Sequence, residues 1–438
     1  MKVLRKLAAA ALALSFPLTG FAQTAEPAKP AESAPAAAPA PAPAPGPVAA
    51  PAPAAKADEG VKVTPYGFIL LNAFWDGNSL STHDYPGQAA RANEGGAFLM
   101  SARQSRIGMR LAVKDPNWTG ADVSGVLEFD FKGGHLSTSS TAWYNGIMRL
   151  RLAAMTAAWN TGYGKWAVLA GQEYGLVNPL FAESLAWVAD PLFWQAGNLW
   201  RRAPQIRLSY AGQFDAIGLS LAAAMLSPAD AGTPVDYGYG NKSRVPNFEA
   251  RAAVSVKATK DVNGTVGFGV HTGKRRYAYG TPDEKDVTQT LYGVDADLAL
   301  TQFLQVKGEW FQSKGADDTY NTIASPAVGT TAATGFAKVE GDGFWVQGIL
   351  KPIPQVWLTG GYGQAKADRG DLTTANTGAN AATLAAVRTK NTQLQGGVLF
   401  NAGKYWRFGV EALKVETTYL DGYKTDATQV AVSSQLKF

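Results

Sequence analysis

The last thirteen residues constrain the fold most: Asp426 to Phe438 reads DATQVAVSSQLKF. Val430, Val432, Ser434, Leu436 and Phe438 share one face, and Gln429, Ala431, Ser433, Gln435 and Lys437 share the other. Such period-2 alternation marks a strand with one apolar and one wet face. The pattern runs to the final residue and stops on an aromatic, where chain ends ordinarily fray. A terminal strand that pairs with the first strand to close a ring cannot fray. The expectation is an all-β transmembrane barrel, in which lipid-facing and lumen-facing residues alternate.

Composition fits that expectation. Apolar residues make up 46% and aromatics 11%, with 47 glycines and no cysteine. Disulfide frameworks, thiol catalysis and cysteine zinc sites are thereby excluded. Alternating strands carry many apolar residues without a long apolar run.

Residues 1–22 read as a signal peptide, with Lys2, Arg5 and Lys6 before a short apolar run and Gly20-Phe21-Ala22 at its end. That peptide carries +3 and no acids, so the chain's +5 becomes 5 − 3 = +2 after cleavage. A weak net charge and the lack of any basic run leave no case for nucleic acid. Residues 23–60 are almost wholly Pro and Ala. Ala-Pro repeats favour extended polyproline II, so the segment reads as a disordered periplasmic linker ahead of a barrel domain at 61–438.

Sixteen alternating stretches can be counted, from Thr64–Trp75 and Phe98–Lys114 to Tyr405–Lys414 and the terminal one. Their connections are alternately long and short. A barrel places these on opposite rims; a propeller or sandwich predicts no such alternation.

An arginine on the lipid face at mid-depth costs roughly 2–4 kcal/mol, which decides the facing of each strand. With Ile107 and Met109 outward, Arg106 and Arg110 point into the lumen. The same reasoning turns Arg149, Arg151, Arg207 and Arg251 inward, with Glu128 and Asp130 on the strand between. Asp295, Asp297, Lys307 and Glu309 face them from later strands. These charges either pair along the wall or form a positive ladder that guides anions.

The connection EYGLVNPLFAESLAWVADPLFWQAGNLWRRA, between the fifth and sixth strands, is unusually aromatic for a loop. An exposed cluster of this kind would be sticky, so the loop is expected to fold inward and narrow the lumen. Glu183, Trp187, Asp190 and Trp194 are its candidate constriction residues, with Glu183 and Asp190 facing a basic wall that Arg201 and Arg202 begin. Tyr66, Trp75, Trp166, Trp310, Trp357 and Tyr405 are expected in interfacial girdles.

Taken together, the inner loop, SARQSRIGMRL at Ser101–Leu111, RRAPQIRLSY at Arg201–Tyr210 and the terminal VAVSSQLKF resemble the sixteen-stranded trimeric porins, most of all the DcaP-like outer-membrane porins. The resemblance spans residues 61–438. It implies a homotrimer in outer-membrane lipid that admits small, often anionic hydrophilic solutes. It also implies that Phe438 is the signal read by the barrel-assembly machinery. By analogy, Arg106, Arg110, Arg201, Arg202 and Arg207 form a basic pore wall. Where that family often has a helical coiled-coil segment before the barrel, this chain has the Pro/Ala linker.

Function classes can then be weighed. A passive outer-membrane porin needs neither cofactor nor metal, and none is expected. A barrel hydrolase would need a nucleophile beside a base. His83, His135 and His271 have no neighbouring Ser/Asp arrangement of that kind. A structural or adhesive barrel that tethers envelope layers is the alternative.

Overall fold

The computed structural model describes residues 60–438, apart from 86, 93–94, 114–119, 135–145, 178, 229–237, 321 and 324–326. The proposed leader and nearly all of the linker therefore lie outside the described residues, as does His135.

Alternation in sequence becomes a single antiparallel sheet. Its strands are β1 (Val61–Asp76), β2 (Ala97–Ser101), β3 (Arg106–Val113), β4 (Asp122–Asp130), β5 (Arg149–Thr161), β6 (Gly164–Tyr174), β7 (Arg202–Phe214), β8 (Ile217–Leu226), β9 (Asn247–Lys257), β10 (Asn263–Tyr277), β11 (Lys285–Ala299), β12 (Leu304–Lys314), β13 (Glu340–Ile353), β14 (Val356–Ala367), β15 (Arg388–Ala402), β16 (Trp406–Tyr419) and β17 (Lys424–Lys437). Each pairs with its neighbours in chain order, and β17 returns to β1 from Phe68↔Lys437 to Asp76↔Gln429. β2 and β3 both pair with β1 and share one position in the wall. The ring is therefore a closed barrel of sixteen strands. Closure leaves no sheet edge, as a lipid environment demands. The last residue is tied to β1 through both its backbone groups: Gly67 N donates to Phe438 O and Phe438 N to Gly67 O, each at 3.2 Å.

The shared position corrects one expected boundary. Phe98–Lys114 was expected as one strand, but residues 102–105 leave the ladder. Arg103 and Gln104 turn to grip Asp84 and the backbone of Ala186 instead. The hydroxyl of Ser105 fills the gap by accepting from Leu70 N at 3.0 Å.

Burial is inverted relative to a water-soluble protein. In β17, Gln429 and Ser433 are buried while Val432 and Leu436 are exposed. Ile107, Leu150, Ile206, Leu208, Phe248 and Val254 are likewise exposed on the outer face. Trp75, Trp166, Trp310 and Tyr405 lie exposed there too. Tyr66 and Trp357 do not: Tyr66 donates to Glu128 at 3.0 Å, and Trp357 lies under Arg407 at 4.8 Å. Their partners are lumen charges, which outweigh the aromatic preference for the interface.

Candidate functional site

The residues between β6 and β7, 175–201, form no strand, so their backbone donors need other partners. Inward side chains of the wall supply them. Leu176 N donates to Glu249 at 2.6 Å, Leu180 N to Glu309 at 2.7 Å and Glu183 N to Gln347 at 2.7 Å. Leu185 N and Ala186 N both donate to Glu411 at 2.8 Å. Val188 N and Ala189 N donate to Gln104 at 3.0 and 3.1 Å. These wall residues belong to β9, β12, β13, β16 and the 102–105 break. All lie on the face away from the exposed apolar girdle.

Apolar packing biases the segment to one side. Ala186, Trp187, Leu192 and Phe193 are buried with Phe74, Trp345, Leu413 and Val415, on β1, β13 and β16. Gly197, at φ +107°, runs so close to β13 that a Cβ there would sit 2.1 Å from Phe344 O. This contact lies about half the circumference from β6 and β7. Open volume remains along β3 to β9. One cavity of about 320 Å³ is lined by Trp194, Trp200, Arg201, Arg202, Thr319 and Tyr320. A second, of about 220 Å³, includes Phe68, Arg106, Arg151, Tyr174, Trp187 and Trp200. A third, of about 420 Å³ toward the short turns, includes Lys165, Tyr174, Pro179, Arg207, Ser209 and Arg251.

Partners divide the expected arginines into two groups. Arg149 and Arg151 share Asp130, at 2.7 and 2.8 Å, and Arg151 also binds Glu128 at 2.8 Å. Arg106 lies 3.6 Å from Glu128 and donates to Val188 O at 2.9 Å. Arg251 is paired with Asp295 at 2.6 Å. Arg110, Arg201, Arg202 and Arg207 have no carboxylate partner among the described residues. Arg110 stacks on Tyr66 at 4.9 Å, and Arg202 on Trp200 at 4.9 Å. Arg201 donates to Ser227 O, and Arg207 to Tyr174 O and to Gln205.

The loop acids part company. Asp190 meets Lys132 at 2.8 Å and Arg149 at 3.4 Å. Burial pushes its carboxyl up, but Lys132 and Arg149 outweigh burial and hold it below the usual value. Glu183 was expected near Arg201 and Arg202, yet it pairs with Arg407 at 3.0 Å. The inner segment has crossed to β16 before Glu183 is reached, which separates it from the arginines that start β7. Trp187 is buried and donates to Gln429 at 3.0 Å, while Trp194 lines the outer cavity.

Sequence reasoning missed the groups that hold the segment, Gln104, Lys132, Gln347 and Glu411, and Arg103, which holds Asp84. One signal was present. In β16, Leu413 and Val415 fall on the same face as Glu411, so the inward face carries an apolar patch that requires an internal partner.

Solved structures were compared with this geometry. The outer membrane channel DcaP of Acinetobacter baumannii matches with a TM-score of 0.67 at 19% identity, over 87% of this chain and 99% of that one. OprB of Pseudomonas putida matches at 0.52 and 12%, over 87% and 95%. An anion-selective porin from Comamonas acidovorans matches at 0.51 and 12%, over 86% and 100%. At these identities the likeness is one of fold, and the resemblance seen in the sequence holds at that level. No protein-family model and no curated relative matches the chain.

Proposed function

We propose that the chain is a passive outer-membrane porin that favours small hydrophilic anions. One observation carries the anion preference: Arg110, Arg201, Arg202 and Arg207 lack carboxylate partners, and three of them line the open cavities. The inner segment acts as the constriction, because it closes the β1 and β13–β16 side and leaves the arginine side open. A solute would pass Arg201 and Arg202, then Arg106 and Arg151, then Arg207. Fixed charge along a narrow path sets the sign of what permeates. The proposal includes a homotrimer in the outer membrane, a cleaved leader at 1–22, a periplasmic linker at 23–60 and Phe438 as the assembly signal.

The test is single-channel conductance in a planar bilayer under a salt gradient. Stepwise conductance with an anion-selective reversal potential supports the proposal. Cation selectivity would discard the role given to the arginines. A folded barrel that conducts nothing would leave the structural, tethering role.

A further inference from the structure

The outer face of the barrel differs around the rim where the long connections emerge. On β2, β8 and β9 the outward positions nearest that rim are apolar and exposed, at Phe98, Met225 and Phe248, and Met148 leads into β5 in the same way. From β10 to β17 the rim turns charged. Lys274, Lys314, Lys366, Lys390, Lys414 and Lys424 all fall on the outward parity of their strands.

Rings beneath these lysines set their height. Lys314 stands two outward positions beyond Trp310, and Lys366 two beyond Tyr362. Four residues span ~13 Å along a strand, and less in depth because barrel strands tilt. Aromatic rings on a lipid-facing wall sit at headgroup level. The lysines therefore stand among headgroup charges, with stems along the wall and ammonium groups reaching outward. In such barrels the long connections face the exterior, so the leaflet is the outer one.

Partners single out one pair. Lys314 binds Glu340, and Lys414 binds Glu416 at 2.8 Å, so the wall itself answers those two charges. Lys366 and Lys390 lie directly opposite each other across β14 and β15. Such a pair sets its Cβ atoms about 5 Å apart, and like charges there destabilise a sheet. Asp342, 3.4 Å from Lys366, relieves one side. Lys390 has no carboxylate within ion-pair distance among the described residues. A group with several anionic oxygens, seated between the two ammonium groups, removes the repulsion. A phosphate monoester is such a group.

We propose that Lys366 and Lys390 hold the phosphate of a lipid headgroup in the outer leaflet. The pair faces away from the lumen, above Phe344 and Leu394, which are exposed on the lipid side. That placement selects a phosphate carried on acyl chains over a free one. The inference goes beyond the porin reading and rests only on the lipid-facing wall.

The test is native mass spectrometry of the full chain, released from detergent micelles doped equally with phosphatidic acid and phosphatidylcholine of the same acyl chains. The unaltered barrel should retain phosphatidic acid in preference. A lysine near an anionic lipid surface contributes about fivefold, so Lys366→Gln with Lys390→Gln should lower the preference about 25-fold. Lys366→Arg with Lys390→Arg should keep it. Lys307→Gln with Lys351→Gln removes the same charge from the lumen side and should leave it intact. Heat-dependent gel migration shows that each variant is folded before it is scored. Equal retention of the two lipids by the unaltered protein would overturn the proposal. So would a preference that survives in the Lys366/Lys390 glutamine pair, or one that falls equally in the lumen pair. Displacement of the lipid by inorganic phosphate would overturn the choice of a lipid. The readout is bound lipid, so failure here is distinct from failure of the porin reading.

Discussion

Glu411 is the wall group on which the inner segment depends most, and removing it gives a quantitative test. Its side chain is buried and accepts from Leu185 N and Ala186 N at 2.8 Å, from Ser184 Oγ at 3.1 Å and from Gln395 Nε2 at 3.3 Å. Leu185 and Ala186 are enclosed, and among the described residues their amides bond to no acceptor but Glu411. Bonds to a charged group contribute about 1.5–3 kcal/mol each, so the two amides together represent about 3–6 kcal/mol. Water entering the vacated space recovers part of that, and Glu411→Ala should cost the seat of the segment about 2–4 kcal/mol. The segment would loosen without leaving, because Asn72 and Gln104 still donate to Ala186 O at 3.2 and 2.8 Å. The assay is native-state hydrogen exchange at residues 184–188. Each 1.4 kcal/mol is tenfold, so protection there should fall by about 30- to 1000-fold while the strands keep theirs. Glu411→Gln keeps one acceptor oxygen and should cost about tenfold. Unchanged protection in Glu411→Ala would refute the claim that wall carboxylates, rather than apolar packing, hold this stretch.

Four further outcomes follow from the same geometry. Arg202→Ala removes a unit charge about 6 Å from a passing ion, worth about 0.7 kcal/mol in water and opposite in sign for anions and cations; the permeability ratio should fall about tenfold, read from the reversal potential. Gly197→Ala forces a Cβ into the backbone of Phe344 and should raise current noise and loosen residues 192–198, as seen by hydrogen exchange. Asp190 has a lowered pKa, so its ion pairs stabilise the segment above the ordinary carboxylate range of about pH 4 and are lost as pH falls through the folded value; Asp190→Asn should flatten the acid limb of a denaturation profile followed by tryptophan fluorescence. Phe438→Ala removes a ring that packs on Gly67 but leaves the ladder bonds of residue 438, so refolding in detergent should persist while yield in the outer membrane drops.

Facing was legible in the sequence, and partnership was not. Ile107 and Met109 marked the lipid side of one strand, and the inward direction of Arg106, Arg149, Arg207 and Arg251 followed from alternation and the cost of an arginine in lipid. Which carboxylate an inward arginine meets depends on register across strands and on closure. Arg251 opposite Asp295 could not be told from Arg207, which meets only carbonyl and amide oxygens. The strand break at 102–105 was hidden for a related reason. SARQS alternates well enough to pass as strand, yet Arg103 and Gln104 form stronger bonds to Asp84 and Ala186 than the ladder would offer. Glu183 was misplaced because a loop's path through a lumen is set by packing of Trp187 and Phe193, not by spacing along the chain.

The balance of formal charge says little about what such a lumen selects. The inward acids are numerous, but the structure hides six of them. Glu128, Asp130 and Asp295 are buried against arginines, and Glu249, Glu309 and Glu411 are buried behind the inner segment, bonded to its amides. The segment proposed as the constriction thus also covers wall carboxylates. Arg202 and Arg207 remain at the cavities, in contact with rings, carbonyls and amides and with no carboxylate within ion-pair distance among the described residues. On the proposed porin reading, a positive path would emerge from a nearly balanced set of charges, by the choice of which groups the loop covers. Loosening the loop should then weaken anion preference as well as widen the pore, which ties the Glu411→Ala exchange measurement to the reversal potential of the same variant.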